Sequence, residues 1–238
     1  MSELPFVSIV TPTYNRRRFI PSLIKMVQSQ IYPRDRMEWI VYDDGQEEVR
    51  DLFEAMRHEL PTLNFIWSED KMTLGEKRNR LNEEAKGDII VAMDDDDFYF
   101  PERVQEAVMA LTMNPGVHLA GSSEVYMYFT DNREIWKAGP YFDKHATNGT
   151  MAWTKGYAKT HRYNETVAFA EERSFLDEFI NPLIQLNPKK VMLVMSHTDN
   201  TFDKTELRKV KNPLLQKTDL KMSDFIKDKE LYDFFNSL

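Results

Sequence analysis

The 238-residue sequence contains no cysteine, which excludes a disulfide framework and thiolate metal ligands and suits a reducing compartment. Glycine is scarce, at 8 residues. Neither G-x-x-x-x-G-K-[ST] nor G-x-G-x-x-G occurs, so any bound phosphate must be held by side chains or a metal rather than by a glycine-rich cradle. Basic charge is in deficit: 31 lysines and arginines face 39 acidic residues, for a net charge of −8. Apart from Arg16 to Arg18 no basic block stands out, which argues against a nucleic-acid partner and leaves room for a compact anion carried with a metal. No apolar run approaches the roughly 20 residues of a membrane span. The opening MSELPFVSIV also lacks the charged stretch and small-residue cleavage site of a signal peptide. The expectation is a soluble, cytoplasmic protein of one domain with a small appendage.

What is present is an alternation. Val7 to Thr11 is an apolar run closed by Pro12, as in a buried strand, and Ile20, Leu23, Ile24, Val27 and Ile31 then recur at helical spacing. MEWIVYDDG gives a second strand ending at Gly45, and Val49, Leu52, Phe53, Met56 and Leu60 give a second helix. LNFIW is a third strand, residues 75 to 86 a polar helix, and DIIVAM a fourth strand. Pro101 stands where a helix begins, with Val104, Ala107, Val108 and Leu111 as its apolar stripe. Residues 5 to 113 therefore read β-α-β-α-β-α-β-α, the order of a doubly wound, mostly parallel sheet that binds ligands at the carboxyl ends of its strands. Beyond residue 115 the pattern turns to α+β. A hairpin runs from EVYMYF through TDNRE to IWKAG, and residues 139 to 165 are irregular. A helix from about Glu171 takes in Asp177 and Glu178, KKVMLVM is a late strand, and residues 222 to 238 make a last amphipathic helix.

Polar and acidic residues collect at one end of this sheet. Thr11 to Asn15 follow the first strand, Asp43 and Asp44 the second, and Asp94 to Asp97 the fourth, so two acidic runs converge on one crevice. Like charges brought together need a counter-charge, and hard carboxylate oxygens favour Mg²⁺ or Mn²⁺ over a structural zinc. An EF-hand is excluded, because no glycine occupies the sharp-turn position after Asp94 and the twelfth-position glutamate is missing. A divalent ion at that rim attracts phosphate, which points to a nucleotide substrate.

Four segments in series, VSIVTPTYNR, WIVYDDG, GEKRNRLNEEAKGDIIVAMDDDDFYFP and FAEERSFL, resemble the inverting nucleotide-sugar glycosyltransferases of family 2. The resemblance covers residues 5 to 200 or so and extends to compact members found in large DNA viruses. It implies a GT-A fold: a doubly wound, Rossmann-like sheet with a smaller α+β acceptor-side region. The family's D-x-D-D-x-x-x-P signature is met by Asp94, Asp96, Asp97 and Pro101, with Asp95 in its free position. By this resemblance Thr11, Tyr14 and Asp44 line a uracil pocket, Asp43 touches the ribose, and Asp94 reaches the ribose or a metal-bound water. Asp96 ligates Mn²⁺ or Mg²⁺, with His197 completing the metal site. Lys77 and Arg78 face the diphosphate, and Arg78 and Asn79 match the family's Arg-Asn pair; a solvated helix face accounts for the two cations as well.

The catalytic base of the family's Glu-Asp motif falls on Glu171-Glu172, a departure that lengthens the base by one methylene. The register selects Glu172, with Glu171 as the alternative. Asn148, Gly149 and Thr150 fall where donor sugar or acceptor is contacted, and Trp153 is suited either to stacking on a sugar or to a core strand. The implied reaction moves a sugar from a UDP-sugar, UDP-glucose among the candidates, to a hydroxyl of a glycan or glycoprotein, with inversion. The implied division is a donor half (1–115), an acceptor and base half (116–201) and a C-terminal tail (202–238). In that tail Leu231, Phe234, Phe235 and Leu238 form a stripe that either clasps the body or docks on a further domain or subunit. Three rivals remain: a non-catalytic nucleotide- or glycan-binding relative, a sugar-nucleotide pyrophosphorylase, whose first loop is normally glycine-rich, and a receiver domain, which needs only about half this length.

Overall fold

The computed structural model describes residues 3–167, 170–200, 204–209 and 211–238, and the statements below concern these. β1 (Val7–Thr13), α1 (Ile20–Gln28), β2 (Met37–Asp43), α2 (Arg50–Met56), β3 (Thr62–Trp67), α3 (Leu74–Glu84), β4 (Ile89–Ala92) and α4 (Arg103–Met113) follow the expected alternation. A short β5 (Phe98–Tyr99) is added between β4 and α4. The chain continues through β6 (Leu119–Gly121), the hairpin β7 (Val125–Phe129) and β8 (Glu134–Ala138), β9 (Ala152–Thr154), α5 (Lys155–Ala158) and α6 (Glu172–Phe175). It ends with β10 (Ile184–Gln185), β11 (Met192–Ser196), β12 (Leu215–Lys217), α7 (Met222–Phe225) and α8 (Lys229–Asn236).

Seven strands form the main sheet in the order β10-β6-β9-β4-β1-β2-β3. β1 pairs in parallel with β2 and β4, and β2 with β3, while β9 enters antiparallel between β4 and β6. Strands from beyond residue 115 thus share a sheet with β1 to β4. Every residue of β1, β2 and β4 is buried, as for strands covered on both faces. Neighbouring residues serve opposite sides: Ile9 and Trp39 join a core with Leu23 and Phe53, while Val10 and Ile40 join one with Leu81, Trp153 and Phe175. A second sheet, β12-β8-β7-β11-β5, lies beside the acidic run.

Several elements differ from expectation. β1 runs through Pro12 to Thr13, placing Thr13 opposite Asp43 at the sheet's carboxyl edge. α1 stops at Gln28, leaving Ile31 exposed. α6 is a single turn, because Asp177, Glu178 and Phe179 take left-handed φ of 51°, 56° and 63° and a right-handed helix cannot pass through them. The single C-terminal helix is two: Asp228 caps α8 by accepting from the backbone N–H of Glu230 and Leu231, each at 3.0 Å. Its apolar stripe is covered by the chain itself. Leu231 and Phe235 belong to the main core, Phe234 meets Phe19 edge-on at 5.6 Å, and Phe235 meets Phe98 at 6.1 Å. The expected boundary at 201/202 lies outside the described residues. Among the described residues no helix is long and apolar enough to cross a membrane.

Candidate active site

The turns after β1 and β2 are built against each other. Asn15, at φ 52°, turns its Oδ1 to accept from the N–H groups of Gln46 (2.7 Å) and Glu47 (3.1 Å). A Cβ at Gly45 would lie 2.6 Å from the Asn15 nitrogen, so only glycine admits this approach. Between these turns and the end of β4 lies a cleft of about 170 Å³, lined by residues that include Thr13, Tyr14, Arg16, Lys77, Arg78 and Asp94 to Asp96.

At the inner end the expected uracil contacts are internally engaged. Asp44 is fully buried; its Oδ1 accepts from Lys77 Nζ at 2.7 Å and its Oδ2 from the Met72 N–H at 2.7 Å. Lys77 also donates to the Thr13 carbonyl at 3.0 Å, so its ammonium turns toward Asp44 rather than toward a diphosphate. Thr11 is fully buried as well, donating to the Met93 carbonyl (2.7 Å) and accepting from Trp39 Nε1 (3.0 Å). It ties β1 to the end of β4 and does not line the cleft, which corrects that expectation; Thr13, two residues on, does. Tyr14 is half-buried with Lys71 Nζ 4.1 Å from its ring centroid. Asp43 accepts from the Gly45 N–H at 2.9 Å, and burial pushes its carboxyl up to about 6.

At the outer end the four aspartates after β4, Asp94 to Asp97, separate in role. Both oxygens of Asp94 receive Arg78, at 2.9 and 3.3 Å. Asp95 and Asp96 face Arg16 at 3.7 and 3.4 Å. Asp96 also stands 3.5 Å from His197 Nε2 and accepts from Asn200 Nδ2 at 3.2 Å. Asp97 points away, accepting from the Met195 N–H at 2.7 Å and tying this loop to β11. Burial raises Asp95 to about 7, with the Asp96 charge adding to it. Burial opposes ionisation of Asp96 too, but His197, Lys204 and Arg16 hold it down to about 2.

Among the described residues no three histidine, aspartate or glutamate side chains are arranged to hold a metal ion. Asp96, which lines the cleft, and His197, whose side chain is buried and whose Nε2 also lies 2.9 Å from Asn200 Nδ2, nevertheless bring a carboxylate oxygen and an imidazole nitrogen within 3.5 Å. Ions of the magnesium type commonly use one or two carboxylates and take the rest of their shell from substrate phosphates and water, so this donor set fits such an ion.

The third part of the site is held by α3. Thr73 caps this helix in a reciprocal box with Glu76. A Cβ at Gly75 would sit 2.3 Å from the Asn164 carbonyl oxygen, so glycine lets the segment before Glu171 lie directly on the helix start. Asn79 clamps the same segment, donating to the Tyr163 carbonyl (2.9 Å) and Glu165 Oε1 (2.8 Å) and accepting from the Tyr163 N–H (2.9 Å). Buried Arg78 then bridges Asp94 to Glu171, whose Oε1 lies 2.9 Å from Nε. No ion pair joins Glu172 to another described residue, and burial, with the Glu171 charge next, pushes its carboxyl up to about 7.

Asn148 is buried beside this bridge; turned with its oxygen to Arg78 Nη1 (2.7 Å), its nitrogen donates to the Tyr163 hydroxyl (2.7 Å). Gly149 and Thr150 are also buried, Thr150 Oγ1 accepting from the Ser122 N–H at 2.9 Å. Trp153 is 1% exposed, donates to Asn82 Oδ1 at 3.0 Å and lies against Phe175 at 5.0 Å. It is a core residue with no face open to a sugar, which corrects the stacking expectation. Sequence reasoning gave no role to Arg16 or Asn200 and none beyond the motif match to Asn79. Arg16, two residues past Tyr14 in the same loop, was the signal available.

A family model described as glycosyl transferase family 2 matches residues 8–182. The chain belongs to that family. Glycosyltransferase AglE of Haloferax volcanii is 27% identical over 128 residues, a match covering 53% of this chain and 42% of AglE. Solved structures share the fold. The crystal structure of Staphylococcus aureus TarS 1–349 in complex with UDP-GlcNAc superposes with a TM-score of 0.68 at 18% identity, covering 82% of this chain and 60% of that one. Mannosyltransferase PcManGT from Pyrobaculum calidifontis, in complex with GDP-Man and Mn²⁺, gives 0.65 at 16% identity, covering 84% and 59%. The fold is GT-A-like, α/β with mixed sheets.

Proposed function

We propose that this chain is a metal-dependent, inverting glycosyltransferase that moves a sugar from a UDP-sugar to an acceptor hydroxyl on a glycan or glycoprotein. The observation that carries the reading is the Asp94–Arg78–Glu171 bridge, which ties the aspartates lining the cleft to the start of α6, where Glu172 has no ion pair among the described residues and burial pushes its carboxyl up to about 7. A general base serves best when its pKa lies near the working pH. Glu172 is assigned the proton of the acceptor hydroxyl, and Glu171, fixed by Arg78, is assigned to hold that base in place. Tyr14 and the loop at Met72 border the nucleoside end, and opening of that loop would free Asp44 for the base. Asp96 and His197 would hold Mn²⁺ or Mg²⁺, which supplies charge neutralisation to the departing UDP. Residues 1–115 carry donor binding, 116–201 the base and acceptor side, and 202–238 the tail that covers the main core.

The GDP-Man complex of PcManGT and the UDP-GlcNAc complex of TarS support a sugar nucleotide as donor, and the latter supports uridine. A donor screen tests this: release of UDP from a panel of UDP-sugars, UDP-glucose first, with Mn²⁺ present. Slow, donor-specific UDP release is expected. No turnover or binding with any UDP-sugar, alongside turnover of a different nucleotide sugar, would displace UDP from the reading.

A further inference from the structure

Lys77 and Arg78 are fixed within the cleft by charged partners at 2.7 to 2.9 Å. Arg16 is held differently. Its Nε lies 3.7 Å from Asp95 and its Nη2 3.4 Å from Asp96, longer than the roughly 2.7–2.9 Å of a tight charge-assisted hydrogen bond. Its side chain keeps 15% exposure on the cleft wall, and its guanidinium lies 5.4 Å from the Phe19 ring. Arg18, on the same ring at 4.8 Å, is tied to Asp199 at 2.7 Å and is not free to replace it. Arg16 therefore straddles two adjacent carboxylates, one of them the proposed metal ligand.

We propose that Arg16 is an exchangeable counter-ion: without a bound ion it holds the Asp96 oxygen that also faces His197, the place a divalent ion would take on donor binding, and it then turns to the donor's diphosphate. This rests on the UDP-sugar reading above. Guanidinium suits both sites, since it forks onto carboxylate and phosphate oxygens alike. Removing it therefore acts with opposite sign on two ligands. The metal alone loses a competitor, while the nucleotide loses a partner.

The test uses the full chain with two probes, Mn²⁺ alone, followed by the electron paramagnetic resonance of the free ion, and UDP at saturating Mn²⁺, followed by calorimetry. Arg16→Gln is expected to bind Mn²⁺ about tenfold more tightly and UDP with Mn²⁺ about tenfold more weakly, the size of one charge-assisted contact. Arg16→Lys keeps the charge without the fork and is expected to fall between parent and Gln on both readouts. It decides the matter if the Gln variant does not fold. If the parent shows Mn²⁺-dependent UDP binding while Arg16→Gln and Arg16→Lys leave Mn²⁺ affinity unchanged or weaker, the exchange is overturned and the UDP-sugar reading stands. If the parent binds UDP equally with Mn²⁺ and with chelator, and Arg16→Gln abolishes that binding, Arg16 is a permanent substitute for a metal, and both the exchange and the metal dependence of the proposed reaction fall.

Discussion

Asp44 follows β2 and Asp96 follows β4, on either side of β1 in the sheet, yet the protein treats them in opposite ways. Asp44 is sealed, with both oxygens engaged by Lys77 and the Met72 N–H. Asp96 meets the Arg16 guanidinium only at 3.4 Å and His197 Nε2 at 3.5 Å. The adjacent glutamates repeat the contrast: Glu171 is locked to Arg78, whereas Glu172 has no such partner and its carboxyl is pushed up to about 7. The difference separates two uses of a carboxylate. A locked one positions a loop or helix at the cost of its reactivity; one left open keeps its charge available to a cation or a proton.

The largest expected effect comes from breaking a locked pair. Lys77→Met strands the fully buried Asp44 charge and should cost about 3–5 kcal/mol in urea unfolding. Arg16→Gln, at the open end, should shift the midpoint far less; equal losses would erase the contrast. Next is the base. Glu172→Gln should lower transfer about 10²- to 10⁴-fold with UDP binding retained, and Glu171→Gln should lower it less. If instead Glu172→Gln stays active and Glu171→Gln does not, the register of the base is wrong by one.

pH sharpens the same comparison. Glu172 accepts a proton only when ionised, so transfer should rise as pH increases through about 7. Glu171→Gln removes the like charge that helps raise that pKa, and the acidic limb should move to lower pH. The smallest effect concerns stability. A carboxyl whose folded pKa lies above its unfolded value binds more protons when folded, so its ionisation opposes folding as pH rises. Glu172→Gln should therefore raise the melting temperature at pH 8 and change it little at pH 5.

The strand ends were legible because continuous apolar runs mark buried parallel strands and polar residues abruptly close them. That alone placed Asp43, Asp44 and Asp94 to Asp97 on one rim. Which way each residue then faces was not legible. Thr11 and Trp153 turn inward because their partners, Met93, Trp39, Asn82 and Phe175, come from distant segments. The short α6 was hidden for another reason, since no glycine or proline marks the left-handed turn from Asp177 to Phe179. The break before α8 turns on a local cap, Asp228, within an otherwise continuous amphipathic pattern.

The central claim is that UDP binding is coupled to a divalent ion at the tip of β4. Calorimetry of UDP with the intact chain, once in Mn²⁺ and once in chelator, measures this directly. Uptake is expected in Mn²⁺ only, and Asp96→Asn is expected to abolish it. Equal uptake under both conditions would contradict the account.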